Sequence, residues 1–468
     1  MKFLKICILL LIACVFLLCD YSCNHKKVFP ANDDEIKAEM NAILVHNILD
    51  IWYPKVIDSI NGGFYSNFNN HWEKTSGKEK FIVSQSRNIL TACKAADRFP
   101  SKKIYLLAAK HGYLYLRNVM HDNENGGFYS CMNCGEENDY YIVYKHSYGV
   151  SFALSALAAY WKISNDKDVL DLAKKTFYWL ENHCHDKKNG GYYNFVTNKG
   201  DIFINNEIKV SKIEGRQSTL YLKEFNSMLH VLESLTELYK VWPDSLVKVR
   251  LLETLNIIRF KMPNKKNYMN VFYYPDWTPV SNFNDTIFFG ANKEDFDYVT
   301  FGHDIQIAYL MLDASFALNL KDDTVTLTIA KKLVDNVLKT GFDNNYYGLF
   351  ENGYYDTLSR KVLVTDSVKK WWTQAEALNG LMMFRKLYPD NKIYKTAFYN
   401  QWKYIKNNLI DYEYGDWYNF GLDKTPKAIE MSKVWIWKCN YHTSKALLNC
   451  TDWLNNSNMK LINHFIKR

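Results

Sequence analysis

A motif that recurs at a constant interval constrains this chain more than any other feature of its sequence. The motif is Asp-x-x-Asn-Gly-Gly followed by two aromatic residues. It begins at Asp58, Asp122 and Asp186, so successive copies are 64 residues apart (122 − 58 = 64 and 186 − 122 = 64). Weaker copies occupy residues 343–350, 411–418 and, in degenerate form, 267–274. A repeat of this length indicates one supersecondary unit that is copied along the chain and stacked on itself.

Apolar residues at helical spacing fill the intervals between the copies of the motif. Each Asn-Gly-Gly predicts a tight hairpin turn, since glycine readily adopts the positive φ that such turns need. Long loops that carry these turns alternate with short turns such as the one at Pro100, which gives two helices per repeat. The spacing predicts twelve helices, at residues 34–55, 84–98, 101–118, 146–161, 166–182, 219–240, 244–260, 303–319, 325–339, 369–388, 393–409 and 441–455.

Six helix pairs with alternating loop lengths predict an all-α fold, a closed (α/α)6 barrel. In such a barrel the even-numbered helices form the inner ring, and the long hairpin-bearing loops lie on one face. An open helical solenoid is the alternative that the same pairs could build. We expect residues 34–468 to form this one barrel domain.

The N-terminal residues 1–22 have the pattern of a secretion signal. Lys2 and Lys5 precede an apolar stretch at 6–19 that is too short to cross a bilayer. We expect this segment to be removed, with residues 23–33 forming a tether to the barrel.

Ser22 precedes Cys23, as in a bacterial lipoprotein signal in which the cysteine carries the lipid. Cys14 ends an alternative lipobox that would divide the apolar stretch. The sequence therefore predicts a protein that is lipid-anchored in the cell envelope, as a periplasmic or outer-membrane lipoprotein. Plain secretion is the alternative.

Composition narrows the classes of partner. The net charge of +8 is spread over single lysines without a basic stripe, so nothing indicates nucleic-acid binding. Aromatic residues make up 16% of the chain, more than a packed core requires, and aromatic faces commonly bind sugars. Cys131 and Cys134 form a single C-x-x-C without a second ligand pair, which predicts a disulfide or free thiols and no metal site.

Two histidines, His303 and His442, stand where polar loops give way to even-numbered helices. Histidine gives or takes a proton near neutral pH, so two of them facing one carbon could remove a proton from one face and return it to the other. That is the chemistry of an epimerase. The barrel brings the first turns of all even helices to one mouth, with these polar and aromatic residues: Gln85, Arg87, His146, Tyr148, Asn226, His230, His303, Gln306, Trp371, Trp372, Glu376 and His442.

Five segments resemble, in order, the signature segments of the N-acylglucosamine 2-epimerase superfamily. They are residues 85–92, 223–239, 302–314, 369–380 and 437–446. The resemblance covers essentially all of the mature chain. His303 followed by Asp304, together with the pattern from Trp437 to His442, is more similar to the cellobiose and mannobiose 2-epimerase branch.

The resemblance implies roles for individual residues. His303 and His442 match the acid/base catalysts on the C2 proton, and Arg87 matches the arginine that binds the C1 and C2 oxygens. Asn226 and His230 match polar residues around the reducing sugar and its ring opening. Trp371, Trp372 and Trp437 match aromatic residues against which sugar rings stack, and Glu376 matches a carboxylate that they orient. Tyr148 matches a tyrosine that lines the pocket.

The chemistry of these residues supports the same reading. Removing a proton beside an aldehyde gives an enediolate, whose charge Arg87 can stabilise with two parallel N–H bonds. No step requires a cofactor, and no dinucleotide or phosphate motif is present. Gln306 departs from the family pattern, which has glutamate there, so it can orient His303 but lends it no charge. Lys445 replaces the usual arginine.

These observations favour an aldose 2-epimerase acting on a β-linked disaccharide such as cellobiose or mannobiose. An aldose–ketose isomerase on a mannose-type sugar would use the same enediol and reprotonate it at C1. A glycoside hydrolase would need two carboxylates, and only Glu376 is clearly placed. A sugar-binding protein that has lost turnover is the non-catalytic alternative, with Gln306 as its mark. We expect a monomer whose partner is a small sugar and whose only membrane contact is the lipid.

Overall fold

The computed structural model describes residues 32–134, 144–203, 210–213, 216–264, 266–280, 298–356, 359–457 and 459–466. The predicted signal segment, with both candidate lipidation sites Cys14 and Cys23, lies outside these residues. Helices α1 to α13, in chain order, are Asp33–Ala42 continued by Ile43–Leu49 and Asp50–Lys55, Ile82–Arg98, Lys103–Tyr115 continued by Leu116–Met120, Ser147–Ser164, Lys167–His183, Phe225–Val241, Ser245–Phe260, Phe301–Ala317, Thr324–Asn336 continued by Val337–Gly341, Trp371–Leu387, Lys392–Asn408, Tyr441–Leu454 and Met459–Phe465.

All twelve predicted helices are found, and most ends agree within about three residues. The sixth begins at Phe225 rather than at 219, because the residues before it form strands. The short α13 was not predicted. A 3-10 turn, Pro426–Glu430, lies in the loop before α12.

The even-numbered helices form a closed inner ring. Each packs on the next even helix, and α12 packs back on α2. Each odd helix from α3 to α11 packs outside the helix before it, while α1 packs on α12. The ring closure confirms the (α/α)6 barrel and excludes the open solenoid.

The inner helix α4 and the outer helix α5 differ in how much of their surface is buried. The inner α4 is rich in alanine, serine and glycine and is buried over almost its whole length, so its neighbours can approach it on every side. The outer α5 is amphipathic, with buried Phe177 and Leu180 on one face and charged residues on the other. This difference places the polar first turns of the inner helices inside the barrel.

Short antiparallel strands occupy the long-loop face. Strands β1 to β11 are Lys80–Phe81, Cys131–Met132, Tyr144–His146, Phe195–Thr197, Val210–Ile213, Arg216–Thr219, Lys223–Glu224, Phe272–Tyr273, Tyr298–Thr300, Asn352–Asp356 and Lys361–Asp366. The pairs are β1–β2, β3–β4, β5–β6 and β7–β8, with a three-stranded sheet in the order β11–β10–β9. Four inner helices begin directly after a strand, which sets their direction at the mouth of the barrel.

The repeated Asn-Gly-Gly motif forms a tight turn closed by one antiparallel bridge, such as that between Ile57 and Phe64. Gly62 and Gly63 adopt φ of 80° and 66°. A Cβ at Gly63 would lie 2.5 Å from Gln85 Oε1, so a side chain there would meet α2 as well as strain the backbone. The predicted hairpins are therefore turns with a single bridge.

A buried lysine anchors each of five turns to the helix that follows. The lysine precedes the inner helix, and its Nζ reaches the first aspartate of the turn. The pairs are Lys80–Asp58 at 2.7 Å, Lys145–Asp122 at 2.7 Å, Lys223–Asp186 at 2.8 Å, Lys369–Asp343 at 2.9 Å and Lys433–Asp411 at 2.5 Å. In the fourth repeat Asn264 occupies the aspartate position, and its Oδ1 accepts from the backbone N–H groups of Lys266 and Tyr268. These ion pairs hold the starts of the inner helices in place.

The described residues contain one disulfide and four buried thiols. Cys131 and Cys134 form a disulfide, one of the two predicted outcomes, and Cys93, Cys184, Cys439 and Cys450 are buried free thiols. Among the residues that the structure describes, no helix is long and apolar enough to cross a bilayer. In the same residues no group of three potential ligands is arranged to hold a metal ion.

Candidate active site

The two histidines that the sequence singles out lie at the same end of the barrel and share one tryptophan. The ring centroid of His303 in α8 lies 4.6 Å from that of Trp372 in α10. The ring centroid of His442 in α12 lies 6.0 Å from the same indole. Residues 139 positions apart in sequence (442 − 303 = 139) are therefore neighbours in space.

His442 is held by a carboxylate that is itself held by a tyrosine. His442 Nδ1 lies 2.6 Å from Glu376 Oε1, and the Tyr309 hydroxyl donates to Glu376 Oε2. All three side chains are buried. Burial by itself would raise the pKa of Glu376, but Lys445 and His442 more than offset it, so the pKa lies below its ordinary value. Burial also lowers the pKa of His442, which leaves a neutral imidazole beside an ionised carboxylate at neutral pH.

A second histidine–carboxylate pair lies deeper in the barrel. His230 Nδ1 is 2.9 Å from Glu233 Oε2, one turn along α6. Glu233 Oε1 accepts from the Tyr441 hydroxyl at 2.7 Å and from Lys445 Nζ. Burial lowers the pKa of His230 to about 4, so this histidine too is neutral at physiological pH.

Arg87 lies between these groups and the aromatic wall. Its Nη2 donates to the Tyr148 hydroxyl at 2.6 Å, and its guanidinium stands 4.4 Å from the ring centroid of Phe152 and 5.1 Å from that of Tyr441. The side chain is buried, and Nε has no hydrogen-bond partner within the described residues. Arg87 is thus a buried cation with donor capacity to spare.

Gln306 does not behave as expected. It is fully buried on α8, one turn after His303, yet neither atom of its amide has a hydrogen-bond partner in the described part of the chain. The expectation that this amide orients His303 is therefore wrong for this structure. The i, i+3 spacing places the two residues on one helical face but leaves the direction of each side chain to packing. His303 is partly exposed, and its ring packs at 6.1 Å on Phe225.

The remaining predicted residues divide between the pocket and its wall. Asn226 lies in the first turn of α6 and has a buried Oδ1 that accepts no hydrogen bond from the described residues. Trp437 is partly exposed and packs edge-on against Tyr148, with ring centroids 6.0 Å apart. Trp371 is buried and packs 6.1 Å from Trp435, so the structure places it with the loop before α12. The tryptophan that contacts both histidines is Trp372.

Several residues of this cluster were missed from the sequence. Glu233, Tyr309, Tyr441 and Phe152 contact the predicted residues, as described above. Glu233 could have been found, because it follows His230 by three positions on one helical face. Tyr309 continues the face of His303 and Gln306 in the same way. Tyr441 lies beside His442 within the signature segment 437–446 and could have been found, whereas no local signal identifies Phe152, an ordinary aromatic residue of an inner helix.

The charges of the cluster balance. Arg87 and Lys445 supply two positive charges, and Glu233 and Glu376 supply two negative ones. With His230 and His442 neutral, these six groups together carry no net charge. An arrangement with neutral imidazoles, a paired carboxylate and a buried arginine can accept a proton from carbon and stabilise the oxyanion that results.

Comparison with known proteins agrees with this chemistry. Residues 63–446 match the family described as N-acylglucosamine 2-epimerase. The chain is 26% identical over 422 residues to a cellobiose 2-epimerase of Bacteroides fragilis, which covers 89% of this chain and 98% of that protein.

Two solved structures share the fold. One is a cellobiose 2-epimerase from Bacillus thermoamylovorans B4167, with a TM-score of 0.74, 23% identity, and coverage of 90% of this chain and 99% of that one. The other is a D-mannose isomerase, with a TM-score of 0.75, 22% identity, and coverage of 92% of this chain and 100% of that one. At these identities the likeness concerns the fold alone.

Proposed function

The chain belongs to the N-acylglucosamine 2-epimerase family and is a sugar epimerase, and from this premise we propose that it interconverts the C2 epimers at the reducing end of a β-linked disaccharide. Cellobiose and mannobiose are the substrates that fit best. The named relative is a cellobiose 2-epimerase, aligned along almost its whole length. The aromatic residues around Arg87 suit a sugar of more than one ring.

The proposed reaction begins with the open-chain aldose, in which the C2 proton is acidified by the neighbouring carbonyl. One histidine takes this proton, and the electron pair forms the C1–C2 double bond of a cis-enediolate with its charge on O1. The other histidine, which enters the step protonated, then delivers its proton to the opposite face of C2, and the carbonyl forms again. The first histidine afterwards releases its proton to solvent and the second takes one up. Atoms and electrons balance without an oxidant or a second substrate.

Each residue has a part in this proposal. His442, with Glu376 behind it, and His303 are the two proton-transfer groups. Arg87 binds O1 and O2 as charge develops there. Asn226 and His230 assist ring opening, and Trp372 stacks against a sugar ring between the two histidines. Trp437 and Tyr148 line the pocket toward the second sugar, while Trp371 supports the wall.

One observation carries the proposal. His303 and His442 pack on the same indole, so one carbon can lie within reach of both. The barrel brings the first turns of both helices to one mouth, and the carboxylate beside His442 is what distinguishes this pair from two ordinary histidines of that mouth.

Two alternatives have specific support. The shared fold with a D-mannose isomerase is consistent with an aldose–ketose isomerase, in which the enediol is reprotonated at C1. The buried amide of Gln306 makes no hydrogen bond within the described residues and stands where the family pattern has glutamate, which favours a slow enzyme or a sugar-binding protein.

One experiment separates these possibilities. Purified protein is incubated with cellobiose, mannobiose and mannose in deuterated water, and NMR follows exchange at C2 together with the products formed. Exchange with formation of the C2 epimer supports the proposal, and a ketose product supports the isomerase. Binding without exchange supports the sugar-binding protein.

We also propose that Cys23 carries a lipid and anchors the protein in the cell envelope. The support is the sequence pattern alone, an apolar stretch followed by a serine and a cysteine. In cell fractionation, Cys23→Ala should move the protein from the membrane to the soluble fraction. If the variant stays with the membrane, Cys23 is not the anchor.

A further inference from the structure

Lys445 lies one turn after His442 on α12, between the two histidine–carboxylate pairs. Its Nζ donates to Glu233 Oε1 and to the Tyr441 hydroxyl at 3.0 Å. The same ammonium stands 5.4 Å from the ring centroid of Tyr309, the residue whose hydroxyl holds Glu376. Lys445 therefore contacts Glu233, the carboxylate beside His230, directly. It also lies against the ring of Tyr309, whose hydroxyl donates to Glu376, the carboxylate beside His442.

The chemistry of proton transfer gives this position a consequence. When His442 is neutral, Lys445 and Arg87 balance the two carboxylates. A proton added to His442 without substrate would place a third positive charge among these buried groups, which is costly at low dielectric. A proton that arrives from the sugar leaves the negative enediolate behind, so the balance is kept.

We propose that Lys445 is a positioning residue for the epimerase reaction, which keeps the His442–Glu376 pair as a neutral imidazole beside an ionised carboxylate until substrate supplies the proton. The inference rests on the proposed function. It concerns a residue for which the family resemblance supplied no role.

The groups that face His442 from every neighbouring helix must be considered together. They are Arg87 from α2, Tyr148 from α4, His230 and Glu233 from α6, His303 and Tyr309 from α8, Glu376 from α10, and Tyr441 and Lys445 from α12 itself. The largest influence on the pKa of His442 is its burial, which lowers it. Of the neighbouring groups, Glu376 raises this pKa, and Arg87 and Lys445 lower it. Lys445 is also the strongest influence that keeps Glu376 ionised against its burial.

The test is the pH dependence of kcat/KM, whose acidic limb reports protonation of the free enzyme's base. Lys445→Gln removes the charge but keeps an amide that can donate to Glu233 and Tyr441. It should move the acidic limb upward by about one pH unit. Lys445→Arg should restore the wild-type position. Glu233→Gln removes the anion that neutralises Lys445, so it should move the limb in the opposite direction.

Lys94→Gln is the matched control. Lys94 lines the cavity of about 550 Å³ that lies behind Lys445 at the far mouth of the barrel, where it pairs with Glu237 at 3.1 Å. Removing this exposed charge should leave the acidic limb in place. An unmoved limb in both Lys445→Gln and Glu233→Gln would overturn the inference, as would an equal shift in Lys94→Gln.

A second measurement does not depend on turnover. In protein labelled at histidine, NMR follows the imidazole of His442, identified by its loss in His442→Gln. The pH at the midpoint of the His442 titration should be higher in Lys445→Gln than in wild type, and it should return to the wild-type value in Lys445→Arg. If wild type shows no C2 exchange while this shift occurs, the proposed function fails and the role of Lys445 in the charge balance stands. If exchange occurs and His442 does not respond, only the inference on Lys445 fails.

Discussion

Replacing Glu376 by glutamine removes the negative charge that lies 2.6 Å from His442 Nδ1 while keeping the size of the side chain. His442 should remain a neutral imidazole in the free enzyme of this variant. The imidazolium that forms when His442 takes a proton should not be stabilised as before, because the amide can accept a hydrogen bond but carries no charge. We therefore expect the loss to fall on kcat.

The magnitude follows from the buried geometry. A hydrogen bond to a charged group contributes about 1.5–3 kcal/mol, and each 1.36 kcal/mol on the barrier is tenfold in rate. Glu376→Gln should thus lower kcat by roughly tenfold to a hundredfold. Tyr309→Phe removes only the donor behind Glu376 and should cost roughly threefold, at the low end for one hydrogen bond.

The assay is C2 exchange with the disaccharide, measured at saturating substrate. Glu253→Gln is the matched control, since Glu253 on the outer α7 also lies beside a histidine, with Oε1 2.8 Å from His185 Nε2. That variant should keep wild-type kcat. If Glu376→Gln stays within twofold of wild type, or if Glu253→Gln loses as much, the argument from the carboxylate is refuted.

Four further substitutions test other parts of the account. His303→Ala and His442→Ala should each lower the rate of epimer interconversion by about a hundredfold to ten-thousandfold. Sugar binding, measured by calorimetry, should persist in both variants. If either single variant stays active, the two-base reaction is contradicted. Gln306→Glu should not speed C2 exchange, because the side chain at this position makes no hydrogen bond within the described residues and a carboxylate there would be buried without a cation; a faster exchange would show that the added charge does act on His303. Lys145→Met should lower the free energy of unfolding in urea by about 3–5 kcal/mol, because it leaves Asp122 buried without its cation. Burial alone would raise the pKa of Asp122, but hydrogen bonds from Lys145 and the turn hold it below its ordinary value, so the difference from wild type should be full at neutral pH and shrink below about pH 4.

The sequence by itself determined the helices, their order and the mouth at which the polar residues meet. The 64-residue repeat and the apolar spacing are local patterns, and each identifies a helix without reference to the helices that pack around it. The turn glycines are equally local, since a positive φ is a property of one residue. His303 and His442 could be placed at one mouth because each begins an even helix.

Only the tertiary structure decided which of these residues touch. Glu376 and His442 are 66 positions apart (442 − 376 = 66), and Glu233 and Lys445 are 212 apart (445 − 233 = 212), so no periodicity relates them. Their contact depends on the rotation and height of each inner helix against the next, which the packing of whole helices sets. The same dependence on packing explains why the amide of Gln306 makes no hydrogen bond to His303. Its position on the helical face of His303 follows from the chain, but the direction of its amide follows from the side chains packed around it.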